Sequence, residues 1–247
     1  MKELVDEAVV LRTYRSGEAD RVAVLWTRHH GKLRILAKGV RKTTSRMGGS
    51  LEPMAHVTVD LVKSRGDLYV TRNVTHRTRF STLRDSYDRI AAGLAVVEVM
   101  DAIPSEEVVD EAIFDLLLRV LTTLDNTEYE PSLVPASFFF KLLALDGSAP
   151  VLDECVSCAS PGPLVSFNAE VGGMLCGNCR SGTPVSVPAQ QLLQRIMGGQ
   201  LAPVLRESDL EGASDVAALA LHAIEVHFGR RLKVSRSTAP LTAKSSA

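Results

Sequence analysis

Arg21-Val22-Ala23-Val24-Leu25-Trp26-Thr27-Arg28 decides how the first third of this chain reads. β-Branched and aromatic residues dominate it, and Val22, Val24 and Trp26 recur at every second position, the strand period that sets them on one side. Before it, Arg15-Ser16-Gly17-Glu18 is a turn cluster, and Ala8 to Tyr14 is an apolar run that reads as another strand. After it, His29-His30-Gly31 turns the chain into Lys32 to Lys38, where Leu33, Ile35 and Ala37 alternate with Lys32, Arg34 and Leu36. Val57 to Lys63 and Leu68 to Val74 form a second hairpin across Ser64-Arg65-Gly66-Asp67. Five short strands in about 75 residues suit a small closed barrel of the OB type, and an SH3-like barrel would give the same pattern.

The third and fourth strands are joined by a long polar connection, Gly39 to Pro53. With the preceding Lys38 it carries Arg41, Lys42 and Arg46, while its one acid, Glu52, stands at the far end. Its glycine and hydroxyl residues let a backbone approach a phosphate chain closely, with N–H groups left to bind it. Lys32 and Arg34 on the preceding strand extend the same track. Charge is partitioned along the chain in the same sense. Residues 1–80 carry 16 Lys and Arg against 8 Asp and Glu, a net of +8, while residues 81–247 carry 12 against 21, a net of −9. Such asymmetry points to a basic module made for an anionic partner on an acidic body. Lys32, Arg34, Lys38, Arg41, Lys42 and Arg46 are therefore the candidate nucleic-acid contacts, DNA foremost.

From residue 81 the period becomes helical. Leu83, Tyr87, Ile90, Leu94 and Val97 mark one amphipathic stripe, opened by a capping-box pattern at Thr82 and Asp85. A second helix is expected after Ile103-Pro104, with Ser105 as its cap, Glu106 and Glu107 at the positive end of the dipole, and Val109, Ile113, Leu116, Val120 and Leu124 inward. Pro131 opens a third, in which Phe138, Phe139, Phe140, Leu142 and Leu143 leave little polar face, so it should be buried; Asp146-Gly147 closes it. Pro188 to Met197 reads as a short helix ended by Gly198-Gly199, and Asp215 to Phe228 as a longer one capped by Ser214 and ended by Gly229. Ser235 to Ala247 is small and polar, the composition of a disordered tail.

Between these helices stand the chain's four cysteines, Cys155-Val156-Ser157-Cys158 and Cys176-Gly177-Asn178-Cys179, two Cys-x-x-Cys pairs 17 residues apart. That spacing suits a single Zn2+ held by four thiolates, which fill a closed tetrahedron and leave no position for water. Val165 to Phe167 reads as a short strand and Val171-Gly172-Gly173 as a turn, the parts of a zinc ribbon. Two disulfides or a redox pair are the competing readings. Neither a secretory leader nor a thioredoxin-like strand–helix context accompanies the pairs. A closed site of this kind holds shape and leaves chemistry aside. No Gly-x-x-x-x-Gly-Lys-[Ser/Thr] loop or His-Glu-x-x-His pair occurs, and His222 and His227 are five apart on a helix, about 140° around it. Nothing forms a nucleophile with a base, so the sequence reads as a binding protein and not an enzyme. No apolar run is long enough to span a membrane, and the N-terminus lacks a leader's pattern, giving an expected cytoplasmic, nucleoid-associated location.

Taken in order, Ala8-Val9-Val10-Leu11-Arg12, Gly17-Glu18-Ala19-Asp20, Gly31-Lys32, Lys38-Gly39-Val40-Arg41-Lys42 with Ser45-Arg46, Leu51-Glu52-Pro53, Val165-Ser166-Phe167 and Gly172 to Cys179 resemble the RecO family of bacterial recombination mediators and DNA repair proteins. The resemblance implies an α+β multidomain protein. Its parts would be a five-stranded OB-type barrel over residues 1–80, an α-helical domain over 81–234 with the zinc module inserted at 151–184, and a tail at 235–247. It implies binding to single- and double-stranded DNA, annealing of complementary strands, and help in loading recombinase onto strands coated with single-strand binding protein. The partners it implies are RecR and the acidic C-terminal tail of that binding protein. Two other classes fit the residues less fully: a zinc-containing protein-interaction scaffold, and an OB-fold RNA-binding protein. The basic half holds only Tyr14, Trp26, Tyr69 and Phe80 as aromatics, so phosphate contacts should dominate over base stacking.

Overall fold

A computed structural model describes residues 3–40, 47–64, 68–104 and 109–233 of the chain. The chain divides into two compact units, Met1–Asn126 and Thr127–Ala247.

The first unit is built on β1 (Glu3–Ser16), β2 (Asp20–Thr27), β3 (Gly31–Ala37), β4 (His56–Lys63) and β5 (Leu68–Thr78), closed in the order β1-β2-β3-β5-β4. Every pairing is antiparallel except β3 with β5, where Arg34, Ile35 and Leu36 run alongside Leu68, Tyr69 and Val70. That parallel pair and the strand order identify the barrel as OB-type. β1 is twice the length of an ordinary strand because it serves two neighbours. Glu3 to Val9 pair with β4, Ala8 to Ser16 pair with β2, and a bulge between Val10 and Arg12 bends it around the corner.

Alternation assigns the interior. Ala8, Val10, Ala23, Leu25, Ile35, Ala37, Val57, Val59, Leu61 and Val74 fill it. Val22, Val24 and Trp26 do share a side, but it is the outer one, and it is buried as well. α2 (Tyr87–Ala102), described below, packs against β1 and helps to cover that face. A strand buried on both faces gives no polarity signal to tell inside from outside.

The stretch after the barrel forms two helices, α1 (Ser81–Arg84) and α2, where the sequence suggested one. Asp85 ends α1, its N–H donating to the Thr82 carbonyl, and Ser86 then takes an extended conformation ahead of α2. The Thr82–Asp85 pattern therefore caps nothing, and Tyr87 is 77% exposed. The buried residues of α2 are mostly small, Ala91, Ala92, Gly93, Ala95, Val96 and Val99, joined by Met100 and by Val97 of the expected stripe. The small ones allow close approach: a Cβ on Gly93 would collide with the Met54 sulfur. α3 (Glu111–Asp125) starts at Asp110, whose carboxylate accepts from the Ala112 N–H at 2.7 Å. Ile113, Val120 and Leu124 are buried as the period required, with Phe114, Leu117 and Leu121, whereas Leu116 is only half-buried and Val109 precedes the helix and is exposed. Ser105, Glu106 and Glu107 lie outside the described residues.

A polar network joins barrel and α3. Arg28 donates to Glu7 at 3.0 Å, pairs with Asp115 at 2.9 Å and with Glu111 at 3.5 Å, and lies over the Phe114 ring at 4.5 Å. Glu7 also meets His56 at 2.7 Å, and His56 packs edge-on to Phe114. One residue away, Asp6 is buried and accepts from the His30 and His29 rings at 2.7 and 2.8 Å and from the His29 N–H at 3.0 Å. These histidines had no visible partner in the sequence; β1 supplies it.

In the second unit, α4 (Val134–Leu145) has Pro135 in its first turn and buries Phe138, Phe139, Phe140, Leu142 and Leu143. β6 (Leu164–Asn168), β7 (Gly173–Cys176) and β8 (Thr183–Pro184) form a small sheet in the order β7-β6-β8. α5 (Val187–Met197), α6 (Leu201–Val204) and α7 (Ala213–His227) follow, and α7 packs on both α4 and α5. α7 begins before Ser214, which therefore does not cap it; Gly212 does, at φ 82°. Gly212 lies so close to the Ala189 backbone that any Cβ there would be 2.5 Å from the Ala189 nitrogen, which is why glycine starts this helix. The expected tail, 235–247, lies outside the described residues. No helix among the described residues is long and apolar enough to cross a membrane.

Candidate metal centre and nucleic-acid interface

The four cysteines converge. Their sulfurs all lie within 4.8 Å of one another, and Cys158 and Cys176 are 3.7 Å apart, far beyond a disulfide bond. Two knuckles on a hairpin create this. In the first, Cys155 N–H donates to Ser160 at 2.8 Å and Ala159 N–H donates back to the Cys155 carbonyl at 2.8 Å. In the second, Cys176 ends β7 and the Cys179 N–H donates to its carbonyl at 3.2 Å. Val156 N–H bonds Met174 at 2.9 Å, fastening the first knuckle to the strand that carries the second. Gly173 is forced by the same packing, since a Cβ there would be 2.6 Å from the Val151 carbonyl oxygen.

Thiol chemistry in the cluster is divided. Backbone N–H groups, that of Cys176 first, bring the Cys155 thiol down to about 6. For Cys158 the Ser160 amide works in the same direction, but crowding by Cys155, Cys179 and Cys176 outweighs it and pushes that thiol up to about 12. Four thiols cannot all ionise side by side without a cation among them, and a bound divalent metal removes that conflict.

The basic connection is plugged into the barrel at both ends. Val40 and Leu51 are buried in the interior cluster, and Met47 packs against it. Asp20, the first residue of β2, accepts from the Gly39 N–H at 2.7 Å, and Arg21 reaches the Leu51 carbonyl at 3.3 Å. Between those anchors, Arg41, Lys42 and Arg46 lie outside the described residues. Lys38 is exposed at the root. Arg34 is exposed on the outer face of β3 and donates to the Tyr14 hydroxyl at 2.8 Å. Lys32 is placed differently: its ammonium donates to the Asp101 carbonyl at 2.9 Å and to that of Ile103, at the C-terminal end of α2, where a cation is favoured.

Cross-strand register adds residues that the sequence reading passed over. Arg12 pairs with Val24, which pairs with Arg34, and Tyr14 pairs with Val22, which pairs with Leu36. Arg12 thus joins the row of Arg34 on the outer face, although 22 positions separate them. The available signal was alternation in β1, and the bulge at Leu11 shifts it by one.

An OB-type barrel with a basic connection, followed by helices and a four-cysteine ribbon, defines a multidomain protein built on an oligonucleotide-binding fold. Comparison with known families refines this: residues 1–78 match the recombination protein O N-terminal model and residues 84–236 the recombination protein O C-terminal model. The chain belongs to the RecO family. It is 37% identical over 208 residues to the DNA repair protein RecO of Streptomyces griseus, covering 80% of this chain and 83% of that protein. It is 41% identical over 177 residues to that of Thermobifida fusca, covering 71% and 72%, and 36% identical over 236 residues to that of a Nocardioides species, covering 92% and 96%.

Proposed function

We propose that this chain is a DNA-binding recombination mediator in DNA repair. It binds single- and double-stranded DNA, anneals complementary strands, and assists recombinase loading on strands coated with single-strand binding protein. The observation that carries the reading is the match to both RecO models over nearly the whole chain, on an OB-type barrel whose one long connection is basic. It acts by binding and not by catalysis.

DNA is held mainly through phosphates. Arg34, Lys38, Arg41, Lys42 and Arg46 form the track, with Lys32 serving chiefly to fasten α2 to the barrel. Phosphate contacts carry no base information, which suits a protein that must accept any sequence. RecR and the acidic tail of single-strand binding protein are the partners, the tail docking on the helical region, where Arg195 is paired with Glu207 and Arg206 with Glu128 and the Tyr129 ring.

The metal is Zn2+, held by Cys155, Cys158, Cys176 and Cys179. Zn–S bonds of about 2.3 Å at tetrahedral angles put sulfurs about 3.8 Å apart, which the Cys158–Cys176 separation of 3.7 Å matches. With all four positions filled by protein, zinc holds the ribbon together and contributes its binding energy to folding.

Titration of labelled single-stranded DNA, duplex DNA and RNA at two salt concentrations tests the reading. DNA binding that weakens with salt is expected. A clear preference for RNA would move the chain to the RNA-binding class, and no nucleic-acid binding at all would make it a protein-interaction scaffold.

A further inference from the structure

We propose that Tyr14, held between Arg12 and Arg34 on the outer face of β1 and β3, is a stacking site for a base of single-stranded DNA. This rests on the DNA-binding reading above and adds to its phosphate track one contact with a base.

The four aromatics of the basic half have distinct fates. Trp26 is 1% exposed and Phe80 is 3% exposed, so neither can meet a ligand. Tyr69 packs against the barrel interior, with the Lys63 ammonium over its ring at 6.0 Å. Tyr69 is half-buried, and Tyr14 is the exposed one of the four, at 37%. Its ring is also held in place. Arg34 donates to its hydroxyl at 2.8 Å, and the Arg12 guanidinium lies 5.8 Å from the ring centroid. Val22 and Leu36 lie beside it in the same cross-strand row.

That arrangement has the two parts a single-strand site needs, an aromatic surface for a base and cations for the backbone that carries it. A ring already fixed by its neighbours loses little freedom when a base seats on it. Arg12 also faces Asp101 at 3.4 Å, so part of its charge is answered within the protein. The position is continuous with the proposed phosphate track: Tyr14 lies two residues from the end of β1, and Asp20 at the start of β2 holds Gly39 at the root of the basic connection. Stacking is tolerant of base identity because every base has a π-face, so it adds affinity for single strands without sequence preference.

The test uses the full chain, an oligothymidylate, and an abasic oligomer with the same number of phosphates. Wild type should bind the oligothymidylate more tightly than the abasic strand. Tyr14→Leu should lower affinity for the oligothymidylate by roughly five- to a hundredfold, leaving abasic affinity and the salt slope unchanged. Tyr14→Phe, which keeps the ring, should retain most of the preference. Trp26 fluorescence verifies that each variant is folded. Equal wild-type affinity for the two oligomers overturns the proposal without any variant, as does an equal loss on both oligomers in Tyr14→Leu. Wild type that binds neither oligomer overturns the DNA-binding reading itself.

Discussion

The Arg28 guanidinium lies 4.5 Å from the centre of the Phe114 ring, so a side chain at the tip of the β2–β3 hairpin joins the barrel to α3. It also bonds Glu7 and Asp115, and Arg28→Ala would leave both carboxylates short of a partner in a half-buried setting. A loss of about 2–3 kcal/mol is expected, less than for a fully buried pair because the site keeps some solvent. Trp26 is the chain's one tryptophan and is buried in this unit, so its urea transition reports the effect directly. Arg28→Lys should recover only part of the loss, since an ammonium lacks the planar fork that reaches several acceptors while lying on a ring. An unchanged midpoint in Arg28→Ala would show that the network contributes nothing to stability.

Acid should weaken the same unit. Burial favours the protonated form of Asp6, but bonds from His30 and His29 outweigh it and hold its pKa below the ordinary 3.8. Burial acts likewise on Glu7, and Arg28 and His56 hold it below 4.5. Both carboxylates therefore add stability above their unfolded values, and it is lost as pH falls through the folded ones. His56 is lowered from 6.5, chiefly by burial, against the pull of Glu7. The unfolded chain protonates His56 first, so stability also drops as pH falls below 6.5. The three effects share a sign. The Trp26 urea midpoint should decline from pH 7 to pH 5 and more steeply below about 4.5. Asp6→Asn should flatten the steep part, and a profile level from pH 7 to 4 in wild type would contradict the assignment.

One zinc per chain is expected on metal analysis of purified protein. Cys176→Ser removes a ligand at the end of β7 and should lower the thermal stability of the helical unit, by several kcal/mol if zinc is lost with it. Because the tryptophan lies in the other unit, Trp26 fluorescence at ambient temperature should be unchanged. Protein that carries no metal and offers four titratable thiols while natively folded would exclude a structural zinc.

Replacing Lys38, Arg41, Lys42 and Arg46 together by alanine should flatten the dependence of log affinity on log salt by roughly 2–3 units on single strands, at about 0.7 per phosphate neutralised. Affinity should fall to a similar degree for unrelated sequences, because phosphates carry no base information. The fold should survive, since the connection is anchored by Val40 and Leu51 and not by these four. An unchanged slope in the folded variant would move the DNA site elsewhere, with Arg230, Arg231 and Lys233 after α7 the next cations to replace.

The sequence by itself determined what depends on near neighbours and on chemistry type. Alternation in residues 21–38 is a local property of an extended chain, so the strands could be read, as could the buried α4 from its run of phenylalanines. The Cys-x-x-Cys spacing already specified a four-sulfur cluster, because two short knuckles on a hairpin need only be brought face to face. Tertiary structure decided everything that rests on register or on a distant partner. It set Ala23 and Leu25 inside the barrel and Trp26 outside, a choice that the two-residue period leaves open when both faces are buried. A distant partner likewise caps α1, whose Leu83 N–H in the first turn donates to the Asp125 carboxylate, 42 positions away. Arg12, Tyr14 and Arg34 meet only because β2 lies between their strands in one register. No local pattern encodes that meeting, since it is set by hydrogen-bonded pairing across the sheet and by a one-residue bulge that shifts which side chains point outward.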